Sequence, residues 1–164
     1  MSSRLPELIV PCTLAEQRAR LIGNLHLGRM KRLSSSLCRA TGAVAVELQF
    51  GKDEHGKRLV TGGWSTRLWL ICQRCLEPME IALSRELRLE FVQGTQEWSM
   101  SSDFEPMQVF ESETVSLVEM VEDELILALP MAPVHAIGDC RGIDIGPAVE
   151  NENPFGVLAK LKTD

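Results

Sequence analysis

The stretch Met79–Phe91, MEIALSRELRLEF, decides the fold. Met79, Ile81, Leu83, Leu87, Leu89 and Phe91 alternate with Glu80, Ser84, Glu86, Arg88 and Glu90, and Arg85 is the exception on the apolar side. A period of two residues places one row of side chains on a core and the other in water, which is the signature of a half-buried antiparallel strand. Working upstream, Val44, Val46, Leu48 and Phe50 alternate with Ala45, Glu47 and Gln49. The GKDEHG run at 51–56 then predicts a turn into a returning strand at Arg58–Thr61, making a hairpin. After Gly62-Gly63, Trp64–Ile71 is apolar on both faces and is expected at the centre of the sheet. Downstream, 94–105 reads as a polar loop and Pro106–Phe110 as a short edge strand.

Elsewhere the period changes. In Ser116–Leu129, Val118, Val121, Leu125 and Leu129 form one helical stripe while Glu119, Glu122 and Asp123 share another face. Pro130 ends that helix, so Met131–Pro133 should run extended. Arg29–Ala40 is predicted to be an amphipathic helix, with Met30, Leu33, Leu37 and Ala40 on one stripe and Arg29, Arg32, Ser36 and Arg39 on its neighbour. Leu8–Leu14 reads as a short strand, Ala15–Leu21 as a connection holding a helical turn, and Gly23–Leu27 as extended. Residues 135–153 read as a Gly-containing loop, and Pro154 opens a last short helix carrying Phe155, Leu158 and Leu161.

The expected class is therefore α+β: an antiparallel sheet, open or barrel-like, with flanking helices. The chain is 164 residues long and 45% apolar, enough for one sizeable core. A single domain over 1–164 is expected, with a basic section at 1–40, antiparallel strands at 41–110, an acidic helix at 116–129 and a C-terminal helix at 154–162. No run of about 18 apolar residues occurs, and the first residues lack the features of a signal peptide. A soluble cytoplasmic protein is the expectation.

The net charge of −6 conceals a division, because residues 1–40 carry seven Arg or Lys against Glu7 and Glu16. A basic section of this kind can face phosphate while the acidic remainder faces water or a basic protein, although a solvated surface with chance asymmetry would look the same. Arg18, Arg20, Arg29, Lys31, Arg32 and Arg39 are the candidates for contact with RNA, since guanidinium groups grip phosphate bidentately and stack on bases. Trp69 shares a strand face with Arg67 and offers a stacking surface; the plainer reading is a half-buried strand tryptophan. Glu119, Glu122 and Asp123 could be a nuclease carboxylate cluster, but acids without a partnered His or Lys read as a solvated helix face.

Five cysteines in a chain without an export signal favour reduced thiols or a metal over disulfides. Cys12 and Cys38 lie among apolar neighbours and read as packing residues. The pair Cys72-Gln73-Arg74-Cys75 can bring two thiolates to one side of a tight turn, and His135 with Cys140 would complete a Cys3His set suited to tetrahedral zinc. Two other readings stay open, inert structural cysteines and redox chemistry, since Arg74 between the thiols fits those equally. No phosphate-binding loop, dinucleotide fingerprint or nucleophile elbow is present, so neither catalysis nor a small-molecule substrate is expected.

Three blocks in this order, CQRCLEP at 72–78, VEDELILALPMAPVH at 121–135 and NPFGVLAKLK at 153–162, resemble the YceD family of large ribosomal RNA subunit accumulation proteins. The resemblance implies a non-enzymatic role in ribosome biogenesis, in making, processing or stabilising the 23S ribosomal RNA. The partners it implies are that RNA or the pre-ribosome, reached directly or indirectly. It transfers no catalytic residues. The rival reading is a protein-interaction factor whose acidic helix holds a basic ribosomal protein or a processing enzyme.

Overall fold

The computed structural model describes residues 5–93 and 103–140. The helix expected at 154–162 and most of the loop expected at 94–105 lie outside those residues. In chain order the elements are β1 (Leu8–Ile9), α1 (Pro11–Glu16), β2 (Arg20–His26), α2 (Lys31–Ser34), β3 (Ala43–Lys52), β4 (Arg58–Ile71), β5 (Pro78–Val92), β6 (Glu105–Gln108), β7 (Val115–Ser116) and α3 (Leu117–Ala128). A single 3-10 turn, Leu27–Arg29, joins β2 to α2.

The main sheet runs β2-β3-β4-β5-β6 and is α+β in setting, antiparallel throughout except for the parallel pair β5 and β6. It is an open sheet among the described residues, not the barrel-like alternative, and its last strand departs from an all-antiparallel 41–110. The strand read from the alternation of Met79–Phe91 is β5, paired with β4 along its whole length from Pro78 to Phe91. Its inner neighbours follow the same logic: Val44, Val46, Leu48 and Phe50 of β3 and Val60, Trp64 and Leu68 of β4 are all buried. This face meets Leu117, Val121 and Leu125 of α3 and Leu27, Met30 and Leu33 around α2 in one core.

Three sequence expectations are corrected. First, Gly62-Gly63 does not break the second strand; β4 passes straight through them as a 14-residue strand. The glycines are needed because neighbouring strands come too close for a side chain: a Cβ on Gly62 would lie 2.0 Å from the Glu47 carbonyl oxygen, and one on Gly63 2.8 Å from that of Arg85.

Second, the extended run at Leu8–Leu14 shrinks to the two residues of β1, because Pro11 takes the first helical position of α1 with its φ already suited to a helix. Third, Arg29–Ala40 is not one amphipathic helix. Its serines divert it: Ser34 Oγ donates to the Met30 carbonyl and Ser35 Oγ to the Arg32 carbonyl, both at 2.6 Å, and the chain leaves α2 after a single turn. Beyond it, the Cys38 N–H donates to the Trp69 carbonyl at 2.9 Å and Arg39 bridges to Trp69, so this segment runs along β4. Arg29, Arg32 and Arg39 consequently share no helix face.

The acidic helix α3 is capped by Ser116, whose Oγ accepts the Glu119 N–H at 3.3 Å. At its other end Leu129 is already extended, with φ −63° and ψ 135°, as the following proline requires. The chain therefore leaves α3 at a fixed angle towards the turn that joins β4 to β5.

Candidate functional site

That turn is Cys72–Glu77. It is closed by the Cys72 N–H donating to the Glu77 carbonyl at 3.0 Å and the Leu76 N–H to the Cys72 carbonyl at 2.9 Å. Leu76 adopts φ 61°, the left-handed conformation that lets so tight a corner close. The segment after α3 docks on the same corner, where the Gln73 N–H donates to the Pro133 carbonyl at 2.8 Å. Two rigid elements thus bring together residues some 60 positions apart.

The four predicted ligands meet. Cys72 Sγ is 3.8 Å from Cys140 Sγ, Cys75 Sγ is 3.3 Å from His135 Nδ1, and Cys140 Sγ is 3.7 Å from the same nitrogen. All four donor atoms lie within 4.8 Å of one another, so the set could hold a metal ion. Metal–sulfur bonds of about 2.3 Å and a metal–nitrogen bond of about 2.0–2.1 Å at tetrahedral angles separate sulfurs by about 3.8 Å and sulfur from nitrogen by about 3.6 Å. The observed spacings fit that geometry.

The electrostatics favour an anionic sulfur at Cys72 but not at Cys75. Burial alone would push the Cys72 thiol up, but backbone N–H groups of Cys75, His135 and Arg74 point at its sulfur and hold it at about 5. Cys75 is pulled down by the Glu77 backbone, yet burial and the neighbouring Cys140 and Cys72 sulfurs outweigh this and leave it raised. Crowded thiolates of this kind are relieved by a cation. Arg74 is one: its Nε donates to Cys140 Sγ at 3.0 Å and its Nη2 to the carbonyls of His135 and Ala136 at 3.0 and 3.2 Å. The Cys140 sulfur in turn raises the Arg74 pKa. Arg74 therefore braces the ligand loop, a role the sequence hinted at only by a cation set between two thiols.

The other cysteines differ from each other. Cys12 is buried as expected, its thiol directed at the Phe110 carbonyl at 3.9 Å. Cys38, read as a packing residue, is exposed, because its segment lies on the surface of β4.

The six basic candidates are scattered. Arg20 pairs with Glu47, Arg29 with Glu7, and Arg32 with both Glu122 and Asp123. Arg18 and Lys31 are exposed and have no ion pair among the described residues. Arg39 is exposed too, with its guanidinium carbon 4.8 Å from the centroid of the Trp69 ring. Nor is the acidic face of α3 a purely solvated one. Glu122 is only 3% exposed, a burial that no charge pattern announced. A wider trough of about 1,170 Å³ crosses the outer face of β2 to β5 around Gly62 and Gly63, and it contains none of the corner's ligands.

With this geometry in hand, comparison with known proteins is decisive. The family model described as "Large ribosomal RNA subunit accumulation protein YceD" matches residues 60–162, which include the whole cysteine corner. The chain belongs to the YceD family. A YceD relative named "Large ribosomal RNA subunit accumulation protein YceD", from Haemophilus influenzae, is 30% identical over 171 residues, covering 97% of this chain and 97% of its own. No solved structure matches the chain. The family model covers most of β4, all of β5 and α3, and the corner but not the basic first section, which the alignment with the Haemophilus influenzae relative spans.

Proposed function

We propose that this YceD-family chain is a non-enzymatic cytoplasmic factor that supports synthesis, processing or stability of the 23S ribosomal RNA by contacting RNA directly. Zinc is the ion proposed for the corner. Family membership carries the RNA pathway, the exposed Arg18, Lys31 and Arg39, without ion pairs among the described residues, support direct contact, and the closed Cys3His set supports a structural metal. Four protein donors leave no position for a water or substrate, which is the arrangement of a structural rather than a catalytic zinc. On this reading the ion staples the end of the β4–β5 hairpin to the segment after α3, and Arg74 offsets the excess thiolate charge.

The rival, in which the acidic helix captures a basic ribosomal protein or a processing enzyme, is disfavoured by one observation. Glu122 and Asp123 already engage Arg32, and the Leu33 N–H takes the other Glu122 oxygen.

Titration of 23S ribosomal RNA fragments at several salt concentrations tests the proposal. Direct contact predicts binding that weakens linearly in log K against log salt, because each neutralised phosphate releases counterions. Absence of binding at low salt, together with capture of a basic ribosomal protein by the same preparation, would replace this reading with the rival.

A further inference from the structure

Resting on the RNA-binding reading, we infer that Arg39 and Trp69 form a stacking platform for one base of a single-stranded RNA segment lying along the two grooves they separate. Trp69 lines a groove of about 560 Å³ on the outer face of the sheet, beside Thr41, Ala43, Ser65, Arg67 and Ser84. A second groove, of about 460 Å³, is lined by Ser35, Ser36, Cys38, Ile71, Gln73 and the turn from Pro130 to Pro133. Trp69 and Ile71 are two residues apart on one face of β4, about 7 Å along the strand, so the two grooves are neighbours along it. Cys38, which lines the second groove, immediately precedes Arg39. The platform therefore stands between the two grooves.

Its chemistry suits a polynucleotide. Single-stranded nucleic acid is held by aromatic and guanidinium faces on which bases stack, flanked by small polar groups along the backbone. Here the Arg39 guanidinium sits against the Trp69 ring, is exposed to solvent and has no carboxylate partner among the described residues. Arg20, Arg29 and Arg32 all have one. In a chain of net charge −6, the lining of the second groove holds no carboxylate, and Glu80 in the first is paired with Arg67. Both grooves offer hydroxyl or amide groups to 2′-hydroxyls and phosphates. A base adding a third layer to the Trp69–Arg39 pair gains from the planar guanidinium, which lysine cannot mimic.

The test is binding of a single-stranded oligoribonucleotide of about ten residues, and of the same sequence as a duplex, to the full chain and to Arg39→Lys, Arg39→Ala, Trp69→Leu and Trp69→Phe. Stacking predicts preference for the single strand and about tenfold weaker binding for Arg39→Lys, Arg39→Ala and Trp69→Leu, with partial retention in Trp69→Phe. It also predicts a salt dependence in Arg39→Lys equal to that of the parent chain. Arg39→Lys keeps the exposed charge, so it reports on stacking even if Trp69→Leu fails to fold. Unchanged affinity in Arg39→Lys, with loss only in Arg39→Ala, would reduce Arg39 to a phosphate contact and overturn the platform while leaving RNA binding intact. Failure of the parent chain to bind any RNA, together with capture of a basic protein, would overturn the underlying reading as well.

Discussion

Glu122 Oε1 accepts the backbone N–H of Leu33 at 2.9 Å, joining α3 to the first turn of α2 across the core. A helix as short as Lys31–Ser34 cannot satisfy its own first N–H groups, and its N-cap residue Met30 supplies no side-chain acceptor. A carboxylate from another helix does so instead. Arg32 closes the arrangement by donating to the other oxygen of Glu122 at 3.2 Å.

The first prediction follows from the burial of Glu122. Glu122→Ala removes the acceptor of a buried N–H and should cost about 3 kcal/mol of stability in denaturant unfolding, whereas Glu122→Gln retains an acceptor for Leu33 and should cost less. Equal stability of Glu122→Ala and the parent chain would show that the helix junction is held by apolar packing alone. A practical consequence concerns RNA assays. Charge reversal at Arg32 places a third carboxylate beside those of Glu122 and Asp123, so weaker binding in that variant must be read against its melting curve.

How much of this was legible in the sequence depended on how local the determinant was. The alternation in Met79–Phe91 and the proline stop after α3 need only neighbouring residues, and both emerged from pattern. Gathering Cys72, Cys75, His135 and Cys140 was legible because thiols and imidazole in a short chain have few other uses, even though the contact spans the hairpin and the helix. The 29–40 region was misread because side-chain hydroxyls of Ser34 and Ser35 compete for backbone carbonyls, a local effect stronger than the apolar period. The continuity of β4 through Gly62-Gly63 was hidden because a Gly pair reads as a break. It is required instead by strands packed closer than a Cβ allows, which is a tertiary fact.

The glycine pair gives the second prediction. Gly62 has φ 148° and no room, so Gly62→Ala should destabilise by at least about 2 kcal/mol through strain and displacement of the Glu47 backbone. Gly63→Ala, facing the Arg85 carbonyl at 2.8 Å, should also destabilise, but less. Gly51→Ala is the control, since nothing lies within 4 Å of its added methyl group. Thermal melts of the three variants give the ranking, and a Gly62→Ala protein as stable as Gly51→Ala would contradict the close strand approach.

Glu124 yields a prediction about pH. Burial, reinforced by Glu105 and opposed by Arg85, raises its pKa above 4.5. The native state then holds the Glu124 proton more tightly than the unfolded chain does. That contribution is fully present below 4.5 and is lost as pH rises through the raised native value. Glu124→Gln mimics the protonated form. It should raise the melting temperature at pH 7, with the gain fading as the pH approaches 4.5. A gain of the same size at both pH values would assign the effect to packing instead of ionisation.

The last prediction concerns the corner itself. If zinc joins Cys72, Cys75, His135 and Cys140, the purified chain should carry about one zinc per molecule, and a strong chelator should lower its melting temperature because metal binding and folding are linked. Cys75→Ser should abolish the zinc. Arg74→Ala separates two roles that the geometry assigns to one side chain. It leaves all four donors in place but removes the donors to Cys140 Sγ and to the His135 and Ala136 carbonyls. Zinc should still load, with affinity lower by about 10–100-fold, as expected for loss of an outer partner to a ligand. Competition with a chromogenic chelator measures that loss. Affinity unchanged in Arg74→Ala would show that the donor set needs no brace, and a chain that holds no zinc and melts identically with and without chelator would leave the four side chains as a metal-free thiol cluster.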